Sequence, residues 1–277
     1  MTLISGGLVW RLVYFQIMDS ERYIAHGESQ RIVAIDVQAQ RGSILDRNGV
    51  DLALSVPRRS LVANAGLVED PVQTARALVQ IIGGDSEELE SKLSSGRKFV
   101  YISRQIEDRF VDAVLALKLA GIYSQPEQGR VRPDGDSVVA VIGRTDIDGK
   151  GISGLEKSYD HLLSGENGRK VVERGPRGST IPGGEYSLKP EKNGTTIVST
   201  LDRSLQFEAA KILISGIEKA GAAGGLLVAM KPSNGEILAS VAVERNEYGN
   251  VQQVTEHKSA TWTFEPGSII KPLTFSA

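Results

Sequence analysis

The sequence predicts an α+β fold, and three patterns carry that expectation. Residues 33–55, VAIDVQAQRGSILDRNGVDLALS, alternate apolar and polar in two runs around Asn48-Gly49, a pair that favours a tight hairpin. Between 71 and 121, three segments repeat their apolar residues at helical spacing. From Thr195 the order is strand, helix, hairpin, helix, which lays helices on a sheet.

In chain order, the first element is MTLISGGLVWRLVYFQIM (1–18), whose only charge before Asp19 is Arg11. As a helix it is roughly 27 Å long, just short of a ~30 Å hydrocarbon core. A signal peptide places its charge ahead of the apolar run and a small-residue cleavage site behind it. Here the charge is internal, and Trp10, Tyr14 and Phe15 flank it as in a membrane-interface belt. The segment reads as the outer end of a transmembrane anchor whose start precedes Met1. A buried amphipathic helix of a soluble body is the alternative.

PVQTARALVQII (71–82) opens on a proline, permitted in a first turn, and closes at Gly83-Gly84. DSEELESKL (85–93) has Asp85 and Glu88 at capping-box spacing, with Leu89 and Leu93 on one face. IEDRFVDAVLALKLAG (106–121) is expected to bury Ile106, Phe110, Val114 and Leu117 and to stop at Gly121. Residues 121–195 are rich in glycine and charge, and read as turns, one short helix near 153–163 and extended arms. TTIVSTLD (195–202) is an expected strand. RSLQFEAAKILISGIEKAG (203–221) is an expected helix with Leu205, Ala209, Ile212 and Ile217 inward. GLLVAMKPSNGEILASVAV (225–243) is two apolar strands around Pro232-Ser233-Asn234-Gly235.

Composition narrows the chemistry. The 277 residues suit one or two domains, and 40 % apolar content suits a globular body with a real core. A net charge of −2 without a basic stripe argues against nucleic acid as a partner. With no cysteine, disulfide and thiol chemistry are excluded. The three histidines, His26, His161 and His257, are scattered and form no H-E-x-x-H, so a zinc protease finds no support. DIDGKG (146–151) begins like a calcium loop, but its twelfth position is Lys157 where an EF-hand has glutamate. GRTDIDGK fails as a phosphate loop, because Arg144 stands where the first glycine is needed.

The chemistry-bearing stretch is FEPGSIIKPLTFSA (264–277), where Ser268 precedes Lys271 by three residues. Spacing alone says little. Composition yields about one such pair by chance, and a second, Ser95 with Lys98, has no supporting context. Around Ser268 the context is better. Pro266-Gly267 breaks the chain, and SIIKPLTF restarts an apolar pattern with Ser268 at a helix N-terminus. Residues i and i+3 share a face, and the helix dipole there favours a serine alkoxide and disfavours a charged lysine. Lys271, desolvated, could serve as general base, and the Ser268 N–H could supply half of an oxyanion hole. From spacing alone, a capping serine beside a surface lysine is equally available.

FEPGSIIKPLTFSA resembles the nucleophile segment of the penicillin-binding proteins, in which an aromatic residue and Glu-Pro-Gly precede Ser-x-x-Lys. RGSILDRNGVDLA (41–53) is similar to the family's Arg-Gly-x-Ile-x-Asp-Arg-x-Gly-x-x-Leu-Ala. GISGLEKSYDHLLSGENG (151–168) resembles its Gly-Leu-Glu arm, VSTLDRSLQ (198–206) the opening of its catalytic domain, and LLVAMKPSNGEILAS (226–240) its first hairpin. The five matches fall in the family's order and cover almost the whole chain. The class B branch is the one implied, and FVYISRQI (99–106) resembles its septal, cell-division members.

That resemblance implies a layout and an activity. Residues 1–18 would be a partial transmembrane anchor. Residues 19–192 would be an extended pedestal, or dimerisation, module with linker arms. Residues 193–277 would be the first part of a transpeptidase domain of the penicillin-binding and serine β-lactamase-like fold. The protein would sit in the cell (inner) membrane as a single-pass protein with its bulk on the extracytoplasmic side. Its partners would be peptidoglycan stem peptides, β-lactams and membrane proteins of the division complex. Catalysis would rest on Ser268 as nucleophile and Lys271 as base, with neither metal nor organic cofactor.

Two departures from the family pattern stand out. Ile269 follows the serine where a small hydroxyl residue is usual. The family's Ser-x-Asn and Lys-Thr/Ser-Gly motifs occur nowhere in the 277 residues. The sequence is accordingly read as truncated at its C-terminus and at its N-terminus, and as inactive in transpeptidation by itself. A non-catalytic scaffold that binds division partners through residues 19–192 is the competing function. A class A serine β-lactamase fits poorly, since about 260 residues precede the serine.

Overall fold

A computed structural model describes Trp10 and residues 32–174, 180–263 and 265–276. The anchor expected at 1–18 lies outside the described residues apart from Trp10. Among the described residues no helix is long and apolar enough to cross a membrane. The strands, in chain order, are β1 (Ile32–Val37), β2 (Ile44–Leu45), β3 (Asp51–Ala63), β4 (Val100–Ile106), β5 (Ile122–Val131), β6 (Gly168–Arg174), β7 (Thr180–Lys189), β8 (Ile197–Val198), β9 (Gly224–Met230), β10 (Ile237–Arg245) and β11 (Val251–Gln253). The α-helices are α1 (Pro71–Ile82), α2 (Ser86–Leu93), α3 (Asp108–Ala116), α4 (Val139–Ile142), α5 (Gly154–Ser158), α6 (Asp160–Leu163), α7 (Arg203–Ala220), α8 (Lys258–Thr261) and α9 (Lys271–Ser276).

The chain divides into two compact units, residues 1–39 with 165–193 and residues 40–164 with 194–277. In the first, β1, β6 and β7 form an antiparallel sheet in that order, with Val171 and Val172 buried. The expected hairpin lies in the second unit. β2 and β3 are antiparallel, with Ile44 opposite Ala53. Gly49 takes φ +84°, and its N–H donates to the Asp46 carbonyl. The 33–37 run, however, joins β1 in the other unit and not this hairpin. Gly42 is the reason the chain can pass between: a Cβ there would stand 2.1 Å from the Thr195 carbonyl oxygen.

β3 continues into the head of the second unit, where β4 and β5 flank it. Helices α1, α2 and α3 cover one face of this sheet, burying Leu61, Leu78, Leu93, Val111 and Val114. The helix ends follow their sequence signals. Asp70 Oδ1 accepts the Gln73 N–H at 2.9 Å, and α1 stops at Gly83 with φ +72°. Asp85 caps α2 through the Glu87 N–H, and Glu88 pairs with Lys92 one turn on.

Two expectations fail here. α3 is shorter than predicted and buries Val111 and Val114, leaving Leu117 exposed, because Ile106 ends β4 instead of opening the helix. Gln105, at φ +53°, turns the chain between them. Residues 122–131 form a full strand where turns and arms were expected. IYSQPEQGRV lacks a strand's usual alternation, but β5 pairs only with β3 and is an edge strand, where Pro126 removes no needed bond. Gly129 admits the Arg58 side chain, whose Cγ would lie 2.6 Å from a Cβ there.

The last region carries the second sheet, in the order β11-β10-β9, with α7 on one face. The β9–β10 turn closes on Gly235, φ +76°, as the Pro-Ser-Asn-Gly signal predicts. The helix limits match the expectation, but its inner face does not. Gln206, Ala209, Ala210 and Ile217 are buried, whereas Leu205 and Ile212 face outward. A polar side chain displaced the apolar stripe because its amide has partners waiting in β10.

Candidate active site

The sequence places its chemistry near the C-terminus, so the question is what frames that segment. The frame begins with the hairpin turn. Asp46 is buried, and its Oδ1 accepts the N–H groups of Asn48 at 2.7 Å and Val50 at 2.9 Å. Its Oδ2 accepts the N–H of Arg203 at 3.2 Å, the first residue of α7. A carboxylate thus closes the hairpin and neutralises a helix N-terminus at once. Burial pushes the Asp46 carboxyl up, but the N–H groups of Val50, Arg203 and Asn48 outweigh it and hold it below its ordinary value. Asp202 supplies the side-chain cap, accepting from the Leu205 N–H at 3.1 Å. The Arg203 side chain pairs with Asp134.

A second polar centre lies under the head sheet. Glu156 of α5 is fully buried between two guanidinium groups. Arg41 Nε donates to one carboxylate oxygen at 2.8 Å and Arg130 Nε, from β5, to the other at 2.7 Å. Arg41 also donates to the Glu156 carbonyl and, at 2.7 Å, to Asp160. Burial pushes the Arg130 guanidinium down, opposed by Glu156. For Asp160 burial raises the carboxyl, but the Gly151 N–H and Arg41 bring it below its usual value. Sequence reading named the segments that hold Arg41, Asp46, Glu156 and Gln206 but gave those residues no role. Their partners are up to 157 positions away and left no local signal.

The acidic loop read against calcium has a structural use. Asp146 Oδ1 accepts the N–H groups of Asp148 and Lys150, and Asp148 pairs with Arg104. Among the described residues no group of three or more metal-ligating side chains comes together.

Gln206 sits one turn into α7. Its Oε1 accepts the Ser240 N–H at 2.9 Å, and its Nε2 donates to the carbonyls of Ser240 and Ser137 at 3.0 and 2.9 Å. The amide therefore acts as a strand partner for β10 and locks α7 onto the sheet.

Ser268 lies in a 3₁₀ turn, Gly267–Ile270, and Lys271 opens α9 directly after it. The capping position expected for Ser268 is held by Pro266, and no side chain caps the turn. Gly267 takes φ +55°, a conformation that β-carbons resist. The Lys271 N–H donates to the Ser268 carbonyl, the i to i+3 bond of a 3₁₀ turn. Side chains three apart in that repeat lie in line, so Ser268 and Lys271 share one edge of the turn. Both residues are exposed.

Comparison with known proteins gives consistent matches. Residues 36–199 match the penicillin-binding protein dimerisation domain. The chain is 33 % identical to the probable peptidoglycan D,D-transpeptidase PenA of Neisseria meningitidis, over 98 % of its own length and 48 % of that protein. It is 27 % identical to the peptidoglycan D,D-transpeptidase FtsI of Escherichia coli, over 96 % of its length and 47 % of that protein. The chain thus spans about half the length of these relatives. Among solved structures, it resembles a peptidoglycan synthetase from Bifidobacterium adolescentis with a TM-score of 0.57 and 27 % identity, covering 89 % of this chain and 51 % of that one.

Proposed function

Since the chain belongs to the penicillin-binding proteins built on the dimerisation domain, we propose that it is the pedestal and the nucleophile-bearing front of a peptidoglycan D,D-transpeptidase. Residues 19–192 are the pedestal with its linker arms, and residues 193–277 begin the transpeptidase domain. The observation that carries this reading is the Ser268–Lys271 turn, held in the family's Glu-Pro-Gly-Ser-x-x-Lys context with both side chains on one exposed edge. The names of the relatives, peptidoglycan D,D-transpeptidases, support the substrate class.

Ser268 Oγ attacks the carbonyl carbon between the two D-alanines of a stem peptide. The C–N bond breaks, and D-alanine leaves with the proton that Lys271 Nζ took from the hydroxyl. An amine of a neighbouring strand then attacks the ester carbon, and the bond to Ser268 Oγ breaks. The Ser268 N–H serves as one donor to the developing oxyanion. Lysine acts as a base only when desolvated, so the exposed Lys271 must be covered when the site reacts. A β-lactam acylates the same oxygen by ring opening. Residues 1–18 anchor the protein in the inner membrane with its bulk outside the cytoplasm, and alkaline extraction of membranes tests that placement.

The decisive test is labelling of the full-length protein with a fluorescent penicillin. Ser268→Ala is expected to abolish the label, and a label that survives the substitution overturns the assignment. A polypeptide of residues 1–277, which holds neither Ser-x-Asn nor Lys-Thr/Ser-Gly, is expected to take up no stoichiometric label. One oxyanion donor is worth roughly 10²–10³ in rate, and several groups are missing together.

A further inference from the structure

We infer that Ser240 is a positioning residue for the nucleophile segment, an inference that rests on the role given to Ser268 above. Ser240 lies on β10, and its backbone is held on both sides of the peptide by the Gln206 amide. Its side chain is buried. The hydroxyl oxygen stands 2.5 Å from Ser259 Oγ and 3.3 Å from His257 Nε2. Those two residues open α8, His257 at the cap position and Ser259 inside the helix. α8 is the last α-helix before the turn that carries Ser268.

The contact is a clamp with two jaws. The first is the Ser240 hydroxyl, which reaches both Ser259 and His257. The second is an ion pair from Lys258 of α8 to Glu244, further along β10. Together they hold a helix of four residues, too short to persist without tertiary bonds. The three polar groups also line one end of a cavity of about 550 Å³, whose remaining wall includes Val141, Leu155, Ile197, Val228 and Ile237. In that apolar setting a hydroxyl contact is worth more than it is in water, and an unpaired hydroxyl costs more. Stiffness passes from α7 through Gln206 to Ser240, then to α8, and from there along the chain to Ser268.

Positioning affects attack more than recognition. A misplacement of ~1 Å at a reacting atom can cost on the order of a hundredfold in rate. In the full-length protein, Ser240→Ala is expected to slow acylation by a fluorescent penicillin about tenfold, with the noncovalent dissociation constant of the penicillin unchanged. Ser259→Ala, at a less buried site, is expected to do the same, and the double variant to be no slower than either single one, because both remove one contact. Ser259→Thr, which keeps the hydroxyl, is expected to restore the rate.

Acylation at the wild-type rate in both alanine variants overturns the inference, as does a loss confined to the dissociation constant. Should Ser240→Ala fail to fold, Ser259→Ala and Ser259→Thr decide alone. Ser268→Ala run in parallel separates the two readings. If it keeps its label, the proposed function fails. If it loses the label while Ser240→Ala and Ser259→Ala react normally, only the positioning role fails.

Discussion

The head sheet and the C-terminal sheet are both antiparallel layers packed on helices, yet they finish their cores differently. At the head, three helices bring Leu78, Leu93, Val111 and Val114 onto Leu61, and all five are fully buried. At the C-terminal sheet one helix, α7, covers one face, largely with Ala209, Ala210 and Ile217. Val228 and Met230 of β9 remain 49 % and 56 % exposed, and Phe207 and Ile212 of α7 remain 58 % and 64 % exposed. The first region closes by large aliphatic contacts. The second closes by small contacts and by the amide of Gln206. Rigidity near the nucleophile therefore rests on a few directional bonds, whereas at the head it rests on area.

The contrast can be broken most forcefully at Glu156. Glu156→Ala leaves Arg41 and Arg130 buried without their shared partner, and is expected to destabilise by about 3–5 kcal/mol in chemical denaturation. Leu93→Ala removes a fully buried side chain from the head core and is expected to cost about 2–5 kcal/mol. If instead Leu93→Ala is tolerated like a surface change, the head is not the area-stabilised half.

Acid offers a third test. The folded-state carboxyls of Asp46 and Asp160 lie below their ordinary value of 3.8. Each contributes stability that is fully present above that value and is lost as pH falls through the lower folded one. Melting temperature is therefore expected to hold near neutrality and to fall below about pH 4, and Asp46→Asn should flatten that fall. Hydrogen exchange sharpens the contrast further, with amides of β9–β11 expected to exchange faster than those of β3 and β5. The smallest effect is expected at Ile212→Ala, whose side chain is mostly exposed: within about 0.5 kcal/mol by denaturation.

Much of the architecture was readable from local chemistry. Asn48-Gly49 marks its hairpin, Asp70 and Gly83 bound α1, and Asp202 and Gly221 bound α7, because turns and caps are decided by neighbouring residues. Faces and partners were less readable. Leu205 and Ile212 were placed inward by hydropathy, but Gln206 takes the inner position once β10 offers it a peptide to bind. β5 was missed because Pro126 and Gly129 break the alternation that marks a strand, and only an edge position makes them harmless. The Ser268–Lys271 pair was visible because its residues are contiguous. Arg41 and Glu156, 115 residues apart, were not.

The order of amino acids determined where chain direction changes and which short segment holds a serine beside a lysine, since both depend on contacts within a turn or two. Tertiary structure decided which polar groups go inside: Asp46 under a helix end, Glu156 between two arginines, Gln206 and Ser240 behind the nucleophile segment. A buried polar atom is stable only where a distant residue answers it, and the distance along the chain is what folding removes.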